Sequence, residues 1–191
     1  MKSGKGRIRI IGGNYRRRLL EVAARPHLRP TPDRVRETLF NWLGQELGGL
    51  RCLDLYAGSG ALGFEAASRG AARVVMVEND RVALAALERS RAALGAAQVE
   101  IVRGDAEAWF ARSGEVFDVV FLDPPFRQNA VPALLQKLAP RLQAGARVYA
   151  ESAAPVKVQA PWRELRRARA GQVSCQLLEF GAAQAPQGSK T

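Results

Sequence analysis

The sequence predicts an α/β protein built on an open, mostly parallel sheet with helices on both faces. Two observations carry this. From Leu50 onward, short runs rich in Val, Ile and Leu alternate with segments of helical length, the pattern of repeated β-α-β units. The runs are apolar throughout rather than every second residue, as expected of strands covered on both faces.

The elements follow in order. "RIRIIGGNYRRRLLEV" reads as two short strands around Gly12-Gly13-Asn14, a hairpin signal. "RPTPDRVRETLFNWLGQEL" reads as a helix with Thr31 as N-cap and Pro32 in the first turn. Val35, Leu39, Trp42, Leu43 and Leu47 form its apolar face. "RCLDLYAG" is a strand and "SGALGFEAASRG" opens a helix that stops at Gly70. "RVVMVEND" is a strand, and "RVALAALERSRAALG" a helix ending at Gly95. "QVEIVRGDA" is a strand, "AEAWFARSG" a short helix and "FDVVFLDPPF" a strand. "AVPALLQKLAPRL" is a helix, "ARVYAES" a strand, and "RELRRARAGQVSCQLLEFG" two closing strands. The polar tail, 182–191, is expected to be disordered.

The chain has 191 residues, 47% of them apolar, enough for one domain with a short appendage. Net charge is +11. Residues 1–36 hold eleven Lys/Arg against two acids and so carry nine of those charges. A balance this basic points to a polyanionic partner, nucleic acid before membrane surface, unless the arginines only solvate a face. Arg7, Arg16, Arg17, Arg18, Arg25, Arg29, Arg34 and Arg36 are the candidate phosphate contacts. "RELRRARA" is a second basic cluster and reads as a solvated edge. Cys52 and Cys175 have no CxxC spacing, and His27 is the single histidine; a zinc site, a disulfide framework and a His-based triad are not expected. No secretory h-region and no run of 18 apolar residues occurs, so a cytoplasmic protein is expected. Nothing signals an obligate oligomer, and a monomer is expected.

Two motifs carry chemistry. In "DLYAGSGALG", Gly58, Gly60 and Gly63 match GxGxxG between a strand and a helix. Glu78 ends the next strand and could accept from ribose hydroxyls. A nicotinamide-dependent oxidoreductase would fit these features alone. Asp54, four residues before Gly58, would repel a pyrophosphate and attract an amino group. S-adenosyl-L-methionine carries an ammonium, a sulfonium and a ribose but no phosphate, and fits better. Asp105, at the third strand end, could accept from an adenine amino group. Asp54 and Asp105 could instead simply cap helices. The loop neighbours Tyr56, Ala57, Ser59, Asn79 and Ala106 complete the expected cofactor set, with Asp123 at its border.

The second motif is "FLDPPF". A residue before proline is held extended, which fixes Asp123. Pro124 and Pro125 have no N–H, so this turn offers acceptors without donors. An exocyclic nucleobase amine has two hydrogens to give, and Phe126 offers a face on which an extruded base can stack. Alternatively, Asp123 caps the following turn.

These two motifs resemble the cofactor motif and the [DN]PP[FY] amino-methylating motif of class I, S-adenosylmethionine-dependent methyltransferases. With "RIIGGNYRRRLLEV" and "RPTPDRVRETLFNWL", the chain from about Arg7 to Phe180 resembles the bacterial enzymes that methylate N2 of guanine 966 in 16S ribosomal RNA. The resemblance implies a Rossmann-like, seven-stranded sheet. It implies a basic hairpin extension over 1–30 that contacts RNA, and a methyltransferase domain over 31–181. It also implies catalytic roles for Asp123, Pro124, Pro125 and Phe126, and as substrate 16S ribosomal RNA, naked or in a small-subunit assembly particle. Adenine-N6 methylation of nucleic acid and a non-catalytic RNA-binding assembly role stay open on the residues alone, since the motif reads an amine rather than a base.

Overall fold

The computed structural model describes residues 6–23, 31–124 and 130–181. Strands β1 (Arg7–Arg9) and β2 (Leu19–Glu21) pair as an antiparallel hairpin. Helix α1 (Asp33–Leu43) follows. Then come β3 (Arg51–Asp54), α2 (Ala61–Ser68), β4 (Arg73–Glu78), α3 (Arg81–Leu94), β5 (Val99–Arg103), α4 (Ala106–Ser113), β6 (Phe117–Leu122) and α5 (Ala130–Leu138). Strands β7 (Leu142–Ser152), β8 (Trp162–Ala170) and β9 (Val173–Phe180) close the chain.

The large sheet has seven strands in the order β5-β4-β3-β6-β7-β9-β8. The first five run parallel, and β9 and β8 add antiparallel at one edge. The strand order reverses between β3 and β6, the switch point where open α/β sheets leave a crevice at the carboxyl ends of the strands. This is the mostly parallel sheet expected from the alternation, and the Rossmann-like class I fold that the resemblance implies. β8 is the outer strand, and its exposed Arg166, Arg167 and Arg169 lie along that solvated edge.

Two apolar clusters sandwich the sheet. On one face Phe40, Phe64, Leu87 and Leu94 from α1, α2 and α3 pack on Cys52, Val74, Phe121 and Tyr149. On the other, Phe110 of α4 and Leu134, Leu135 and Leu138 of α5 pack on Leu53, Val75, Val120 and Val148. Alternate strand residues thus serve opposite faces and both are buried, which is why the strands read as continuous apolar runs. Ile8, Ile10, Leu20 and Val22 of the hairpin join the first cluster, so the hairpin is packed into the core rather than hung from it.

The hairpin turn seats on the end of α2. Gly13 has φ +72, and a Cβ there would lie 1.8 Å from the Ser68 carbonyl oxygen; only glycine fits. Asn14 N donates to that oxygen (2.7 Å), and Tyr15 N donates to Ser68 Oγ (2.9 Å). Glu65, wholly buried, accepts from Ile11 N (2.9 Å) and Gly12 N (2.8 Å). Its charge is matched by Arg69 (2.9 Å) and Arg36 (3.4 Å).

Helix α1 departs from expectation at its start. Pro32 is its N-cap and no side chain caps it. Thr31 instead turns its hydroxyl to Glu151 Oε1 (3.4 Å), because a carboxylate on the end of β7 lies within its reach. The helix stops at Gly44, in the left-handed region, so Leu47 is buried from the loop beyond it, and Phe40 takes a core position that the spacing missed.

Candidate active site

The carboxyl ends of β3, β4, β5, β6 and β7 present Asp54, Glu78, Asp105, Asp123 and Glu151 along one edge of the sheet. The four expected acids stand where the motifs placed them. Glu151, the fifth, was missed.

The cofactor half is built on β3 and α2. Asp54 is buried and its Oδ2 accepts from Gly63 N (3.0 Å) in the first turn of α2. The capping alternative thus describes a real bond, made from the neighbouring strand, with Gly60 as the formal N-cap. Burial pushes the Asp54 carboxyl up to about 7, against the pull of the Gly63 N–H and helped by the Glu78 charge. Gly63 lets the helix lie close to the sheet: a Cβ there would meet Met76 Cε at 2.4 Å and Asp54 Oδ2 at 3.1 Å.

Glu78 braces the loop. Its Oε2 accepts from Gly58 N (2.8 Å), and its Oε1 from Asn79 N and Asp80 N (2.8 Å each). A ribose would share these oxygens through their remaining lone pairs. Asp105 is exposed and caps α4, accepting from Ala108 N (2.9 Å); one oxygen is left for a base. Ala57, Ser59 and Ala106 are buried. Tyr56 is half-buried, and burial together with Glu107 and Asp105 pushes its phenol up to about 12, so it stays a neutral donor. The donor set of this half is acceptor-rich and anionic at its centre. It fits the ammonium and sulfonium of S-adenosyl-L-methionine and opposes a pyrophosphate.

The acceptor half is built on β6 and β7, which pair in parallel with Phe121 opposite Tyr149 and Leu122 opposite Ala150. One step further, Asp123 stands beside Glu151, and in-register residues share a face. Burial, then the charges of Glu151 and of Asp54, hold the Asp123 carboxyl well above the usual carboxylate range. The Glu151 carboxyl is raised by burial and partly restored by its Tyr149 and Thr31 hydrogen bonds; Tyr149 Oη donates to its Oε1 at 2.9 Å. In the ligand-free site the pair therefore holds protons more tightly than ordinary carboxylates; a cationic cofactor or a nucleobase donor beside it favours the ionised, accepting form. Pro124 is buried next to Asp123, while Pro125 and Phe126 lie outside the described residues. Glu151 could have been found by the rule that found the others: an acid at the carboxyl end of a buried strand, in "ARVYAES".

The expected phosphate contacts divide. Arg7, Arg16, Arg17, Arg18 and Arg34 are exposed; Arg25 and Arg29 lie outside the described residues. Arg36 is a correction. It is wholly buried, bonded to Asp33 (2.6 Å), the Arg9 carbonyl (2.9 Å) and Glu65, because it neutralises that internal carboxylate; no phosphate can reach it. Arg16 and Arg17 follow the hairpin turn at the carboxyl end of α2, at the opposite edge of the sheet from the crevice. A cleft of about 760 Å³ opens there between the turn, α1 and α2. Its walls, Arg16, Glu37, Asn41 and Gln45 among them, mix both signs of charge and include none of the five strand-end acids.

Residues 8–179 match the family model described as conserved hypothetical protein 95. The ribosomal RNA small subunit methyltransferase D of Escherichia coli is 43% identical over 93% of this chain and 92% of its own length. That of Haemophilus influenzae is 37% identical over 93% and 96%. A solved Escherichia coli structure, a candidate methyltransferase named yhhF, superposes with a TM-score of 0.84 at 43% identity, covering 93% of this chain and all of that one. The chain therefore belongs to the conserved hypothetical protein 95 family, alongside these small-subunit ribosomal RNA methyltransferases.

Proposed function

We propose that this protein methylates the exocyclic N2 of a guanine in small-subunit ribosomal RNA, at position 966 of the 16S molecule, using S-adenosyl-L-methionine. The observation that supports it most is the placement of Asp123 and Pro124 just past the carboxyl end of β6, the strand next to the glycine-loop strand, at the same edge of the sheet. The relatives that share this framework over nine-tenths of their length are named for that class of reaction.

S-adenosyl-L-methionine held against Asp54, the Gly58–Gly60 loop and Glu78 supplies an electrophilic methyl on sulfur. The protein's own groups do the rest. A guanine extruded from its stack enters over β6. The Asp123 carboxylate and the Pro124 carbonyl accept the two N2 hydrogens and turn the nitrogen lone pair toward the methyl. Transfer to that lone pair would form the carbon–nitrogen bond as the cofactor's carbon–sulfur bond broke, releasing a neutral thioether. The nitrogen is then cationic and acidic, and its proton passes to the desolvated Asp123 carboxylate and on to solvent. Most of the acceleration comes from positioning. The exposed arginines of the hairpin and of α1 hold phosphates, so affinity falls steeply with salt.

Labelled methyl transfer tests the reading. The purified protein is incubated with labelled S-adenosyl-L-methionine and unmethylated 16S RNA, either naked or in a small-subunit particle, and the RNA is digested to nucleosides. Label in N2-methylguanosine is the expected result. Label only in N6-methyladenosine, or in no nucleoside from either substrate, would overturn it. Comparing the two substrates also identifies the physiological form.

A further inference from the structure

A base specificity for guanine requires a group that reads more than an amine. Guanine and 2-aminopurine both carry an amino group at C2. Guanine also carries a hydrogen on N1, beside that amine, whereas 2-aminopurine, like adenine, has a bare lone pair at N1. A carboxylate placed beside the amine-holding residue would accept from a guanine N1–H and repel a bare N1.

Glu151 occupies that place. It follows Ala150, the register partner of Leu122, so it stands beside Asp123 on the neighbouring strand. Adjacent strands lie about 4.8 Å apart, a separation that lets two side chains meet neighbouring atoms of one base edge. Glu151 is only 8% exposed. Its Oε1 is fixed by Thr31 and Tyr149, while Oε2 accepts from no described group. Oε2 is not among the sealed, unpartnered polar atoms of the described residues, so it keeps open access and has acceptor capacity for a ligand donor. Asp123 likewise accepts from no described group. Two like-charged neighbours, each with capacity left over, match the two adjacent donors of guanine. A structural ion pair would show the opposite pattern, with opposite charges and filled oxygens.

We infer that Glu151 is a specificity-determining residue of the acceptor site, accepting the N1–H of the target guanine while Asp123 and the Pro124 carbonyl hold its N2 amine. Thr31 and Tyr149 are its positioning residues. This rests on the reading of the site as a guanine-N2 methyltransferase.

The test compares kcat/KM for two RNAs, one with guanosine at the target position and one with 2-aminopurine ribonucleoside. The wild-type protein should prefer guanosine by about tenfold or more, the scale of one well-placed base contact. Glu151→Gln keeps the shape, and its amide can rotate to donate to a bare N1. It should bind cofactor with unchanged affinity by calorimetry and narrow the preference to within about twofold, mostly by slowing transfer to guanosine. An equal loss on both RNAs, leaving the preference intact, would show Glu151 to be structural and overturn the inference. Should Glu151→Gln fail to bind cofactor, Thr31→Val carries the same comparison: a narrowed preference supports the inference and an unchanged one overturns it. Absence of transfer by the wild type to the guanosine RNA would instead sink the functional reading itself, so the two failures are distinguishable.

Discussion

Two buried charge clusters lie on the α1–α2 side of the sheet and differ in every respect that matters. Around Glu65, charges of opposite sign meet, and both carboxylate oxygens are filled by Arg36, Arg69 and two backbone N–H groups. Around Asp123 and Glu151, charges of the same sign meet, and oxygens are left over. In the first cluster the carboxylate is filled without a ligand, although Arg36 Nε is left unpartnered, and the cluster fastens the hairpin to the domain. The second is incomplete and raises the proton affinity of its members. A saturated cluster stabilises; an unsaturated one recognises. Burial alone would not have separated them.

The sharpest way to break this contrast is to unbalance the saturated cluster. Arg36→Ala should cost about 3–5 kcal/mol, because it strands part of the Glu65 charge inside the protein. Chemical denaturation measures this, and a destabilisation below about 1 kcal/mol would deny the cluster its structural role. Asp123→Ala should do the reverse. Methyl transfer should fall about 100- to 1,000-fold, the scale of removing one transition-state hydrogen bond. Cofactor affinity by calorimetry should hold and stability by denaturation should not fall, since no described group bonds that carboxylate and its burial beside Glu151 is itself unfavourable. Turnover within about tenfold of wild type would remove Asp123 from the mechanism.

Asp54 stands between the two cases, half satisfied by Gly63. Its carboxyl titrates at about 7 in the ligand-free fold, against 3.8 ordinarily. Only the ionised form attracts a cationic cofactor, so affinity should fall by up to about tenfold per pH unit below that value. Asp54→Asn should bind weakly and without that slope. The same shift makes the folded state hold more protons than the unfolded chain between those two values, so ligand-free stability should decline as pH rises across them. Asp123 and Glu151 are shifted in the same direction and add to the decline. The smallest effect belongs to the exposed arginines. Replacing Arg16 and Arg17 together by Ala should weaken RNA binding a few-fold and flatten its salt dependence, by about 0.7 in log–log slope for each phosphate no longer neutralised. An unchanged slope would make this a solvated face.

Most of the framework was legible because local and long-range signals agreed. Apolar runs marked the buried strands, and the glycine loop and the proline pair marked two strand ends. Where reading failed, a distant partner had decided. Arg36 resembles its exposed neighbour Arg34 in sequence, and only the fold brings Glu65, from another helix, beside it. Thr31 has the chemistry of a cap, yet Glu151, 120 residues away, takes its hydroxyl. Glu151 itself was hidden because no motif surrounds it; its meaning comes from the register of β7 on β6.

Helix α2 is buried at all eight residues. One end is pinned through Gly63 to Asp54, the other through Ser68 and Glu65 to the hairpin. The glycine turn at its head thus stands ready before any small molecule comes. Docking there should demand little reshaping, and a calorimeter should register correspondingly little entropic penalty from ordering the chain.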